Sequence, residues 1–137
     1  MENYIRVYDD VISHVYCDEL IRKFEENEHL HYVQDTDLGK TLTLINLTNS
    51  YDENNPFYDD LNPIANILME GVEQYKTDLK IDDKHWPLKF GIESIKIKRY
   101  RPDLDEEFPP HIDNVLKESC HRFLVMFVYL DDNDLSL

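Results

Sequence analysis

Residues 123–130, FLVMFVYL, are eight consecutive apolar side chains. The run is too short to cross a bilayer, which takes roughly 20 apolar residues as a helix. A continuous run of this length, rich in aromatic and β-branched residues, is the pattern of a strand covered on both faces. The chain must therefore supply layers that pack against it. A second run, GIESIKIKRY at 91–100, alternates apolar and charged residues and reads as a half-buried strand.

Upstream the pattern differs. YIRVYDDVI over 4–12 alternates loosely and predicts a short first strand leading into a turn. Ser13 is placed to cap a helix in which Tyr16, Leu20 and Phe24 share one face, widened by Cys17 and Ile21. Asp18 and Glu19 suit the positive end of that helix. HLHYVQD and TLTLINL predict two strands joined by a turn at 37–39. After the polar loop TNSYDENNP, apolar residues recur every three or four positions from Phe57 to Leu79. They predict a long amphipathic helix starting near Pro56 or Pro63. KIDDKHWPLK reads as a loop. Helices and strands in this order predict an α+β fold, helices packed on one side of a largely antiparallel sheet. All 137 residues fit one domain.

Composition narrows the function classes. Against 14 basic residues stand 29 acidic ones, a net charge of −15, which repels nucleic-acid backbones. The one basic cluster, KIKRYR at 96–101, is explained by the solvated face of its strand. An acidic surface also suits a protein that binds a basic partner. No stretch spans a membrane, and MENYIRVYDD has no basic start or apolar core of a secretion signal. Cys17 and Cys120 lie far apart without CxxC spacing, as expected of reduced thiols in a cytoplasmic protein.

Chemistry concentrates in FPPHIDN, residues 108–114. On extended backbone, residues two apart return to the same side, so His111 and Asp113 present a nitrogen and an oxygen toward one point. Ile112 is expected to turn away into packing. Pro109 and Pro110 stiffen the approach. A nitrogen–oxygen pair of this kind suits Fe(II), Mn(II) or Zn(II), and a second histidine completes the two-histidine, one-carboxylate face of non-haem iron sites. By itself an HxD tripeptide also fits a solvated acidic loop.

The surroundings of the pair resemble the iron- and 2-oxoglutarate-dependent dioxygenases of the prolyl 4-hydroxylase type. The pieces that carry the resemblance are Arg99–Tyr100 ending a strand, Pro102, Phe108, His111 and Asp113, then an apolar strand ending in Tyr129–Leu130. DDVISHVYCDELIRKFEEN is similar to the family's opening turn and helix. The resemblance implies an N-terminal part of an oxygenase domain over 1–137, helices packed on an incomplete double-stranded β-helix, or jelly roll. It implies His111 and Asp113 as metal ligands, and Tyr100 and Tyr129 around the cosubstrate, with Tyr129 offering its hydroxyl to a carboxylate. Fe(II) and 2-oxoglutarate are the implied cofactors, ascorbate a further one, and molecular oxygen and a peptidyl or small-molecule substrate the partners. Asp103 departs from the pattern, where the family often has glycine.

The same resemblance implies a later histidine as third ligand and a basic residue for the distal carboxylate of 2-oxoglutarate. Only 24 residues follow Asp113, and within them His121 is the last histidine and Arg122 the last basic residue. His121 precedes a strand and is expected to face solvent or cap the strand. His14, His29, His31 and His85 show no ligand spacing and are expected in surface or loop roles. Two expectations follow: an oxygenase whose fold is completed by further sequence or a second polypeptide, or a non-catalytic acidic interaction module built on the same front half.

Overall fold

A computed structural model describes residues 4–36, 40–49, 52–107, 109–112, 117 and 119–131. It mixes two helices with one three-stranded antiparallel sheet. The α+β class is as expected; a closed jelly roll is not part of what is described.

Helix α1 (His14–Glu26) starts where Ser13 places its hydroxyl oxygen 3.3 Å from the Tyr16 amide that it accepts from. Cys17, Leu20 and Phe24 form its buried stripe. Asp18 and Glu19 lie beyond the first turn, which holds no acidic residue, so they act on the helix dipole less than expected. Strand β1 (Tyr32–Asp35) pairs with β2 (Thr41–Asn46), Tyr32 opposite Leu44, and β2 pairs with β3 (Lys96–Arg99), Ile45 opposite Ile97. Helix α2 (Leu61–Asp78) begins after Asp60, which makes Pro63 a first-turn residue and leaves Phe57 and Leu79 outside.

The core forms between α1 and one face of the sheet. Leu20, Phe24, Ile45, Leu47 and Phe57 cluster there, with Ile64 of α2, Ile97 of β3 and Leu130 packed around them. Leu47 and Phe57 are fully buried, in the turn after β2 and the loop before α2. A buried polar cluster ties the two helices together. Asp60 accepts from the Tyr16 hydroxyl and from the Lys23 ammonium, both at 2.8 Å. Burial, then the Asp60 carboxylate, pushes the Tyr16 phenol well above the ordinary tyrosine range.

Three predicted strands differ. Residues 4–12 form no strand; Tyr4, Ile5 and Val7 are exposed, and the segment is held to α2 by Tyr75 donating to the Tyr4 carbonyl and Tyr8 donating to Asp78. The 91–100 run pairs only over Lys96–Arg99. Residues 122–130 are extended but join no ladder among the described residues. Burial alternates along them: Leu124, Met126, Val128 and Leu130 are half-buried, whereas Phe123, Val125, Phe127 and Tyr129 are exposed. Among the described residues the run is thus covered on one face, by the helical side, and not on two. No helix among the described residues is long and apolar enough to cross a membrane.

Candidate metal and cosubstrate site

Strand β3 ends at Arg99, and the chain then turns tightly back toward β2. Pro102–Leu104 form one helical turn that closes on Asp105, whose φ of 56° is left-handed. The turn is built around Glu106, whose side chain is 3% exposed. One carboxylate oxygen accepts from the Arg101 amide at 2.8 Å and from Arg101 Nε at 3.1 Å. The other accepts from the second guanidinium nitrogen at 2.7 Å and from the Thr43 hydroxyl at 3.1 Å. The Arg101 side chain, with the backbone amide and Thr43 adding, holds the Glu106 carboxyl down at about 2. The Glu107 amide donates to the Thr41 carbonyl at 3.1 Å, fixing the next residue to β2 as well.

The arm that follows therefore leaves from a fixed base. Pro109 is buried and His111 is exposed. The His111 ring places Nδ1 2.9 Å from the Pro109 carbonyl oxygen. A carbonyl only accepts, so in neutral imidazole the proton sits on Nδ1 and Nε2 is the basic nitrogen. That is how metal-binding histidines are commonly oriented. Ile112 is 68% exposed and does not turn into packing as expected. Asp113, the expected carboxylate partner, and Phe108 lie outside the described residues. Among the described residues, no three His, Cys, Asp or Glu converge as a metal-holding group.

Tyr100 and Tyr129 come from different segments and lie near each other. Burial first, and then Tyr129, raises the Tyr100 phenol above its ordinary value, so it is a hydrogen-bond donor at neutral pH. Both rings remain partly open to solvent, at 41% and 59%.

The remaining histidines take other places. His31 stacks on Phe24 at 4.4 Å and pairs through Nε2 with the Phe24 carbonyl at 2.9 Å, a packing role rather than a surface one. His121 is exposed at the turn before the extended run, as expected. Glu106, Thr43 and Asp60 are the residues that sequence reading missed. Glu106 sits in the acidic stretch DLDEEF, where nothing distinguishes the one buried carboxylate from its exposed neighbours. No family model matches the chain, and neither the curated proteins nor the solved structures contain a detectable relative.

Proposed function

We propose that this chain is the N-terminal part of a 2-oxoglutarate- and Fe(II)-dependent dioxygenase of the prolyl 4-hydroxylase type, on an incomplete jelly roll. The observation that supports it most is His111: an exposed imidazole whose Nδ1 is held by Pro109, on an arm anchored at Glu106. Bound iron supplies the redox chemistry that couples decarboxylation of 2-oxoglutarate to succinate with hydroxylation of a C–H bond. The chain's own residues have simpler tasks. His111 offers Nε2 to the ion, and Asp113 offers a carboxylate oxygen. Tyr129 donates its hydroxyl to a carboxylate of 2-oxoglutarate, and Tyr100 forms the adjoining wall. Two protein ligands hold a divalent ion more weakly than three. A third ligand and a cationic partner for the cosubstrate come from further sequence or from a second polypeptide. Substrate is a peptidyl or small-molecule C–H bond, with ascorbate as a reductant. The wide separation of Cys17 and Cys120, without CxxC spacing, supports a cytoplasmic setting.

One observation favours a second reading, a non-catalytic interaction module on the same front half. It is the net charge of −15, an acidic surface that suits a basic partner. Anaerobic titration with Fe(II), with and without 2-oxoglutarate, separates the two. The oxygenase reading predicts a metal-to-ligand charge-transfer band that needs both additions and is lost in His111→Ala. A folded protein that shows no band contradicts it and favours the module.

A further inference from the structure

One cleft lies apart from the His111 arm. It opens where β2 finishes and β3 begins, with a volume of about 500 Å³, the size of a small-molecule site. The arm is tied to the other end of β2, where the Glu107 amide donates to the Thr41 carbonyl. Thr41 and Asn46 are the two ends of that strand, roughly 17 Å apart.

Strand register builds the cleft. Residues two apart on a strand share a face, so Leu44 and Asn46 look the same way. Tyr32 pairs opposite Leu44 and Lys96 opposite Asn46, which brings an aromatic ring and an ammonium to that face. It is the face away from Ile45 and Ile97 of the core. Leu30 adds a second apolar wall, and Asn55 joins from the loop before α2.

The polar groups here have a fixed sense. A backbone amide only donates, so the side-chain atom that faces it must be an oxygen. Asn46 Oδ1 accepts from the Thr48 amide at 3.0 Å, and Asn55 Oδ1 from the Phe57 amide at 2.9 Å. Each asparagine thus turns its oxygen to the backbone and keeps its NH2 group, which bonds to no described residue. Thr48 is itself tied to the sheet, since its hydroxyl accepts from the Ile95 amide at 2.8 Å. Lys96 adds a cation. Glu93, the acid that feels it, is already held by Arg122 at 2.7–3.0 Å. In a chain with 29 acidic residues, none of the described residues lining the cleft is acidic.

We propose that this cleft binds a small molecule carrying one carboxylate on an apolar or aromatic body. The carboxylate accepts from the Asn46 and Asn55 NH2 groups and pairs with the Lys96 ammonium. The body lies on Leu30, Leu44 and the Tyr32 ring. One cation matches one negative charge, whereas a phosphate dianion brings two into a chain of net charge −15.

The test titrates the isotopically labelled whole chain with phenylacetate and follows the side-chain amide signals by NMR. Saturable shifts of the Asn46 and Asn55 NH2 groups are expected. Phenylacetamide, which lacks the charge, should bind about tenfold more weakly. Asn55→Asp keeps the oxygen that accepts from Phe57 and puts a negative oxygen where the NH2 group was. It should fold normally and bind phenylacetate about tenfold more weakly. Lys96→Gln, at an exposed position, should weaken phenylacetate about threefold and leave phenylacetamide unchanged. His111→Ala should bind phenylacetate as the wild type does, whatever becomes of the iron reading. No saturable shift at Asn46 and Asn55, equal binding of phenylacetamide, or undiminished phenylacetate binding by either cleft variant overturns the proposal. So does displacement by an equal concentration of inorganic phosphate at matched ionic strength. Loss of binding in His111→Ala places the carboxylate at the metal arm and overturns it as well.

Discussion

Replacing Glu106 by Gln asks whether one buried carboxylate fastens the turn after β3 to the sheet. Gln keeps the size of the side chain and removes the charge. Its amide also turns two donors toward the donors of Arg101. The stabilisation follows from the pKa. The carboxyl falls from its ordinary 4.5 to about 2, with the Arg101 side chain as the largest cause and burial opposing it. At about 1.4 kcal/mol per unit, that is on the order of 3 kcal/mol in favour of the ionised, folded form. The Arg101 side chain is 39% exposed, and solvent weakens its share, so about 2 kcal/mol is expected. Urea unfolding followed by circular dichroism at pH 7 measures it, and the midpoint temperature should fall by roughly 6–8 °C. The pH dependence is more specific. A depressed carboxyl stabilises above its ordinary value and loses that contribution as pH falls through the folded value. The gap between wild type and Glu106→Gln should hold from pH 7 to 5 and close between 4.5 and about 2. A difference under about 0.5 kcal/mol at pH 7, within the range of ordinary surface changes, would refute the reasoning. A gap that survives at pH 2 would assign the effect to packing.

Three further outcomes are expected. Tyr16 should resist ionisation in an alkaline absorbance titration, and Asp60→Asn should ease it, since burial and then Asp60 raise its pKa. Phe57→Ala, which empties a fully buried site, should cost about 3–5 kcal/mol in denaturant unfolding. Ser13→Ala should cost about 1 kcal/mol through loss of the α1 cap, with a smaller far-UV helical signal.

Much of the frame was legible because it depends on local pattern. The 3.6-residue period of Leu20 and Phe24, with Ser13 before it, specifies α1 almost to its ends. Alternation through TLTLINL locates β2, whose residues 42–45 are all buried. Strand partners were not legible, since they depend on what lies across the sheet. The loose alternation of residues 4–12 meets no edge, and tyrosine hydroxyls hold it to α2 instead. The apolar run 123–130 predicted cover on both faces; among the described residues no layer lies over its odd-numbered residues, which are exposed. In the candidate site, the order Arg99–Tyr100, turn and His111 was readable. The anchoring role of Glu106 was hidden, because burial of one acid among several is decided by Thr43, 63 residues earlier. Ile112 was misjudged for a related reason: alternation names a side, but only the fold supplies something to pack there.

The central claim is that His111 Nε2 is a metal ligand, oriented by its Nδ1–H. Long-range nitrogen–proton NMR of the imidazoles, during titration with diamagnetic Zn(II), tests it directly. The account predicts a proton on Nδ1 of His111 in the free protein, and a shift of Nε2 on adding metal with Nδ1 still protonated. A His111 protonated on Nε2, or one whose resonances ignore the metal while another histidine responds, would contradict it.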